Sequence, residues 1–437
     1  MKTIQVGLIG FGTVGRGLAE VLHTQRQRLI RRSGLDIRLQ AVARSSQDAL
    51  PEPFTDVRLT RDARKLITDP EIDIIVELIG GIEPAKTFLL EAITAGKHVV
   101  TANKALLSQE GKAIFSAAAE KGVEVGFEGS VGGGIPVIKA FKEGLAANRI
   151  LSIMGIMNGT ANYILTRMTD EGVSFKEVLN DAQEKGFAEA DPTYDVEGID
   201  TAHKLAILMQ MAYGMNITHN EIATEGISSI DPVDIEMARE FGCRIKLLAI
   251  SRNHGSHVEG RVHPTMVPES HLLASINGAY NAFHFTGDMV GDVLLYGPGA
   301  GMMATGSAVA ADVLDIARNM VNGCVGRVPG LNYVPEEVRE RSITSVEDLY
   351  CPCYLRLQLQ DKPGMLSKVS GVLGEHGISI ESMIQKGQEQ NGLVPVVMVT
   401  HSARESAMQR ALDEVTARGV VAAPPVRIRI LENDDVA

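Results

Sequence analysis

3-TIQVGLIGFGTVGRGLAEVL-22 decides how this chain begins to fold. A short apolar run bends through glycines and resumes as a helix-forming segment, with Gly10-x-Gly12-x-x-Gly15 where the pattern changes. In a strand–turn–helix unit the first glycine permits the tight turn and the second lets a pyrophosphate approach the backbone. The third lets the helix pack closely on the strand. Unpaired N–H groups at the helix start would face the phosphates. Gly10, Phe11, Gly12, Thr13, Val14 and Gly15 are therefore the expected cofactor-binding turn of a Rossmann-type unit.

Downstream, 36–43 reads as a strand that would end beside the adenosine ribose, where an NAD site places an acid. Arg44 stands there instead, followed by Ser45 and Ser46. A guanidinium and hydroxyls suit a 2′-phosphate, which favours NADP over NAD, with a solvent-facing Arg44 as the alternative. Helix and strand patterns then alternate: helix 61–68, strand 72–77, helix 84–95, strand 98–101, helix 106–121 and strand 123–126. That is a doubly wound α/β rhythm. Lys104 lies just past a strand end, where it would face the reacting end of the cofactor; the plainer reading is a surface lysine at a helix start. The glycine hinge 129–134 follows Glu128, and its exposed carbonyls with one carboxylate offer oxygen ligands to a hard cation or simply a bend.

The chain has 437 residues, enough for two to three domains. Its 42 Lys and Arg against 54 Asp and Glu give a net charge of −12, which argues against broad contact with nucleic acid or anionic membrane. No apolar run has spanning character, and the N-terminus has glycines where a signal peptide would be apolar. Cys243, Cys324, Cys351 and Cys353 make no disulfide scaffold, and the C-P-C pair has no second pair at metal-ligand spacing. A reducing cytoplasm is the simplest home.

The middle of the chain carries 186-GFAEADPTYDVEGIDTAHKLA-206, with Glu189, Asp191, Asp195, Glu197 and Asp200 ahead of an apolar helix containing Lys204. Asp200 and Lys204 are i,i+4 and share a helix face. Read alone this is a solvated acidic loop with a surface ion pair. After a dinucleotide fold it reads as acids for a substrate ammonium leading into a lysine that transfers a proton.

GLIGFGTVG, ELIGG, TANKALL, FEGSVGGGIP, GIMNGTANYIL, GFAEADPTYDVEGIDTAHKLAIL and YGPGAG, in this order, resemble homoserine dehydrogenases of the monofunctional type. DKPGMLSKVSGVLGEHGISIESM resembles the ACT regulatory module of that form. The resemblance implies NAD(P)-linked interconversion of L-homoserine and L-aspartate 4-semialdehyde in threonine, methionine and isoleucine biosynthesis. It implies Lys204 and Lys104 as catalytic residues; Glu189, Asp195 and Asp200 as substrate-binding; and Lys104, Gly186 and Gly301 as further cofactor contacts. A sodium ion is implied at Glu128 with Val131, Gly133 and Ile135. Threonine as effector and a homodimer or homotetramer are implied as well.

The expected organisation is an α/β chain with a Rossmann domain at 1–133 closed by 302–330, and a substrate-binding domain at 134–301. A polar linker at 331–350 and a ferredoxin-like ACT domain at 351–432 follow, the last read from β-α-β-β-α-β order, an antiparallel sheet under two helices that can stand alone. A semialdehyde dehydrogenase is the nearest chemical rival, but its acyl chemistry needs a cysteine nucleophile and no cysteine here lies in a suitable loop. A cofactor-sensing regulator would leave Lys104, Lys204 and the acids without work.

Overall fold

Val6, Leu8 and Ile9 are sealed from solvent on both faces of strand β1 (Lys2–Ile9), as a central parallel strand requires. The computed structural model describes residues 1–46, 49–184, 190–385 and 392–432. Around β1 stand β2 (Leu35–Ala43), β3 (Arg58–Thr60), β4 (Ile74–Glu77), β5 (His98–Thr101) and β6 (Val125–Gly126), in the order β3-β2-β1-β4-β5-β6, all parallel. The order reverses between β1 and β4, and the crevice beyond their C-terminal ends is where such sheets bind dinucleotides. Helix Met302–Asn322 comes back from far downstream to lie on helix Thr13–Thr24. The two touch through glycines: a Cβ on Gly17 would fall 2.0 Å from the Met302 carbonyl oxygen, and one on Gly306 2.5 Å from the Gly17 carbonyl carbon. The helix expected over 61–68 shrinks to Arg64–Ile67, and β3 and helix Arg26–Ser33 were not anticipated. Neither of the latter buries a residue fully, so neither carries an apolar period.

The second domain is built on β7 (Ile150–Ile156), β8 (Ala223–Thr224), β9 (Cys243–Asn253), β10 (His257–Pro268), β11 (Tyr280–Gly287) and β12 (Gly291–Pro298). The order along its sheet is β12-β11-β7-β9-β10, with every neighbouring pair antiparallel, and β8 lies parallel beside β10. Helices Gly159–Glu171, Ile199–Tyr213 and Pro232–Glu240 pack against this sheet. The β11–β12 hairpin was not anticipated from the sequence; the structure buries both faces of β11 from Asn281 to Phe285, the polar Asn281 and His284 included.

The C-terminal strands are β13 (Ser342–Ile343), β14 (Tyr350–Cys351), β15 (Cys353–Gln360), β16 (Ile380–Gln385), β17 (Leu393–Thr400), β18 (Ala403–Arg404) and β19 (Val426–Ile430). With helices Met365–Glu375 and Glu405–Ala417 they form the expected β-α-β-β-α-β unit, strand order β19-β15-β17-β16. This sheet also continues into the second domain. β19 pairs in parallel with β10 through Thr265↔Arg429 and Met266↔Ile430, so the two domains share one continuous sheet. Behind the seam, Tyr354 donates to Asp234 at 2.8 Å and Arg356 grips the same buried carboxylate at 2.7 and 3.0 Å. The polar segment 331–350 is also docked, since its β13 pairs with β10. Among the described residues, no helix is long and apolar enough to cross a membrane.

Candidate active site

The turn after β1 is shaped by steric necessity. Gly10 has φ +99°, and a Cβ there would sit 2.6 Å from the Leu78 carbonyl oxygen; a Cβ on Gly15 would sit 2.3 Å from that of Gly10. Gly12 differs, because nothing lies within 4 Å of where its Cβ would be. Its side of the turn is open at the start of helix Thr13–Thr24, whose N-cap is this same Gly12 with no side chain bonded to the first N–H groups. The groove and these donors, with Phe11, Thr13 and Val14 in the same turn, fit a pyrophosphate. Arg44 leaves the end of β2 and donates to the Ala49 carbonyl at 3.2 Å. Gly301, φ +120°, begins the returning helix with open space around it. Gly186 lies outside the described residues.

Across the crevice, Glu77 ends β4 with no solvent exposure. It accepts hydrogen bonds from Ile79 N at 2.8 Å, Gly80 N at 3.2 Å and the Thr101 hydroxyl at 2.7 Å. Asn103 donates to the Gly81 carbonyl at 2.6 Å and caps helix Lys104–Lys121 by accepting from Leu106 N at 3.1 Å. The loops after β4 and β5 are thereby locked together, and the first residue of the helix they release is Lys104.

Lys104 Nζ meets Asp200 Oδ1 at 2.5 Å, and Lys204 Nζ meets Asp200 Oδ2 at 2.7 Å. One carboxylate therefore joins a lysine from each domain. Asp200 and Lys204 are one turn apart on helix Ile199–Tyr213, which starts at Gly198 with φ +79° and is buried from Asp200 onward. Lys204 also donates to the Met157 carbonyl at 2.6 Å. Asn158 caps helix Gly159–Glu171 through its oxygen, and its amide nitrogen donates to Asp195 at 2.7 Å and Asp200 at 2.9 Å. Burial opposes charge on Asp200, but the Lys204 and Lys104 ammoniums outweigh it and hold the group below the usual carboxylate range. Burial pulls Lys204 down from the usual lysine range, against the pull of Asp200. Asp195 is pushed up, chiefly by burial. His203 stacks between His219, ring centroids 3.7 Å apart, and Tyr194 at 5.4 Å, and its Nδ1 shares a hydrogen bond with the Ser108 hydroxyl. Burial and the neighbouring His219 lower it to about 4, so it is neutral near pH 7.

Residues 136–314 match the family described as homoserine dehydrogenase, residues 10–128 its NAD-binding domain, and residues 354–418 the ACT domain. The homoserine dehydrogenase of Pseudomonas aeruginosa is 46% identical over 434 residues, covering 98% of this chain and 99% of that protein. The enzyme of Neisseria gonorrhoeae is 43% identical over 430 residues, covering 98% and 99%. Among solved structures, a homoserine dehydrogenase from Thiobacillus denitrificans superposes with a TM-score of 0.92 at 44% identity, covering 99% of each chain. The chain belongs to the homoserine dehydrogenase family.

As a homoserine dehydrogenase it has an NAD(P)-binding domain, a catalytic domain and a C-terminal ACT domain. Of the acids named from sequence, Asp195 and Asp200 come together with Lys104 and Lys204; Glu189 lies outside the described residues. Asn158, which links those two acids, lies inside the GIMNGTANYIL motif, and its place directly before a helix is the signal that could have found it. Nothing in the sequence near Glu77 pointed to its three donors, which come partly from a neighbouring strand.

Glu128 is 3% exposed, and its oxygens accept from Ile138 N at 2.8 Å and Lys139 N at 2.9 Å. Burial pushes it up from the usual carboxylate range. Among the described residues no basic side chain reaches ion-pair distance of it. Val131 and Ile135 are buried on the same turn, and Gly133, φ +58°, is pressed against Gly299. A buried carboxylate with no ion-pair partner among the described residues suits a hard cation.

Proposed function

We propose that the chain interconverts L-homoserine and L-aspartate 4-semialdehyde, with Lys204 as the proton-transfer group and Lys104 holding the same substrate oxygen. The observation that carries this is the shared carboxylate: Asp200 brings the lysine at the end of the Rossmann sheet and the lysine of the catalytic helix to one point. When bound, the nicotinamide supplies or accepts the hydride. For aldehyde reduction Lys204 gives its proton to the aldehyde oxygen, and the reverse direction returns the hydroxyl proton to the same Nζ. A lysine lowered by burial yet steadied by a carboxylate suits both directions. Lys104, 37% exposed at its side chain, is the more accessible ammonium and polarises the oxygen. Asp195 and Asp200, with Glu189, hold the substrate ammonium.

Phe11, Thr13, Val14 and the three glycines of the turn, with Arg44, Lys104, Gly186 and Gly301, hold the cofactor. Arg44 and its neighbouring serines favour NADP over NAD. Sodium is assigned to Glu128 with the carbonyls of Val131, Gly133 and Ile135, where it would neutralise a buried charge and stiffen the hinge. Threonine is assigned to the ACT domain, whose helix Met365–Glu375 starts at Gly364, φ +88°, without a side-chain cap. A homodimer or homotetramer in a reducing cytoplasm completes the reading. Initial rates of homoserine oxidation with NAD and with NADP, each with and without threonine, test it. No homoserine-dependent reduction of either cofactor would refute the activity, a preference for NAD the role of Arg44, and rates indifferent to threonine the effector.

A further inference from the structure

Glu197 and Glu225 have no part in the chemistry above, yet they lie on an unbroken path between the ACT domain and the substrate acids. On the ACT side, Arg429 of β19 grips Glu225 with two hydrogen bonds of 2.8 Å and Glu405 with two more of 2.8 and 2.9 Å. Arg427 adds contacts to Glu405 at 2.9 Å and to Glu225 at 3.4 Å. Glu225 directly follows β8 and donates its N–H to the Val262 carbonyl of β10 at 2.8 Å.

The next three residues run onto the active-site turn. A Cβ on Gly226 would fall 2.2 Å from a Glu197 carboxylate oxygen, so the backbone there is pressed onto that side chain. Ile227 N donates to the Val196 carbonyl at 2.9 Å, and the Ser228 hydroxyl donates to Glu197 at 2.8 Å. Glu197 sits between Asp195 and Gly198, and Gly198 begins the helix that carries Asp200 and Lys204. The two substrate acids are thus held from one side by Asn158 and from the other by a segment anchored on β19.

We infer that Glu197 and Glu225 are positioning residues for Asp195 and Asp200, through which β19 of the ACT domain sets the geometry of the homoserine pocket. This rests on the assignment of those two acids to the substrate. A displacement of β19 along β10 would be transmitted through the Arg429–Glu225 clamp to the turn 193–198. The seam between β10 and β19 has two paired positions, with Leu431 N donating to the Met266 carbonyl at 2.9 Å beside them. Glu225→Gln is the clean probe, because Arg429 keeps its paired contact with Glu405 and no buried cation is stranded.

The test compares full-length Glu225→Gln, Glu197→Gln, the double variant and Asp195→Asn by homoserine KM, cofactor KM, kcat and thermal midpoint. Each Glu→Gln variant should raise homoserine KM about three- to tenfold while cofactor KM and kcat stay within about twofold, a range typical of coupling through packed networks. The double variant should show less than the product of the single effects, as residues on one path do. An unchanged homoserine KM in Glu225→Gln overturns the inference, whatever Asp195→Asn shows, and so does an equal rise in both KM values. If Asp195→Asn alone is inert while Glu225→Gln shifts KM, Asp195 is lost as a substrate contact and the coupling stands through Asp200. Should Glu225→Gln fold poorly, Ser228→Ala removes only the hydroxyl that holds Glu197 and must give the same KM shift.

Discussion

Replacing Asp200 by Asn keeps the shape of the side chain but leaves two ammoniums facing a neutral amide. Both contacts, 2.5 Å to Lys104 and 2.7 Å to Lys204, are lost as ion pairs. Even at an effective dielectric near 20, opposite charges within 4 Å attract by about 4 kcal/mol. Lys104 can turn to solvent, whereas Lys204, 7% exposed, cannot. Stranding its charge would cost about 3–5 kcal/mol. Losing its proton costs about 1.4 kcal/mol for each unit by which its pKa stands above the ambient pH, and burial without the carboxylate lowers that pKa, so part of the loss is met by deprotonation. The variant should therefore fold with a smaller protonated fraction of Lys204, and so with less of the proton that aldehyde reduction consumes. Initial rates of L-aspartate 4-semialdehyde reduction should fall by about 10²–10⁴, the usual worth of a general acid. The pH at which activity declines on the alkaline side should move down, because only the protonated lysine donates. A kcat within about threefold of the parent, with the same pH profile, would refute the shared-carboxylate mechanism.

Lys204→Ala should lower kcat by about 10² or more while cofactor KM changes little, and near-normal turnover would count against its role. Gly10 and Gly12 should part company. Gly10→Ala, strained by its positive φ and the Leu78 carbonyl, should lose about 1–3 kcal/mol in thermal or denaturant unfolding. Gly12→Ala should unfold as the parent does but raise cofactor KM at least about tenfold, since open space at that Cβ is where the pyrophosphate would come. His203, held at about 4 against an ordinary value near 6.5, contributes stability that is complete above pH 6.5 and is lost as the pH falls through 4. His203→Gln should therefore flatten the fall of thermal midpoint across that interval, and an unaltered slope would refute the assignment.

The Rossmann unit was legible because its signals are local. Gly10-x-Gly12-x-x-Gly15 is a pattern readable within six residues between a strand and a helix, and β1, β4 and β5 are short apolar runs bounded by turns. The ACT unit was legible for the same reason: alternation in β15 and the start of helix Met365–Glu375 need no distant partner to be recognised. Lys204 and Asp200 announced a shared helix face by their spacing, and the family resemblance assigned them roles. Spacing could not reveal that Lys104, 96 positions before Asp200, closes on the other oxygen of that carboxylate.

What only the tertiary structure decided is which long-range partners satisfy buried charge and open sheet edges. Asn158 looks ordinary in sequence because the carboxylates it joins lie on another segment, and Glu77 because its Thr101 donor stands on a neighbouring strand. β19 was read as the last strand of the ACT sheet; it also docks on β10 because both strands present unpaired backbone edges that burial forces together. Glu197, one acid among five in the sequence, is distinguished by Gly226 and Ser228 closing over it. Local steric and periodic rules write themselves into neighbouring residues, whereas the pairing of a buried charge is settled by whichever distant segment the fold brings against it.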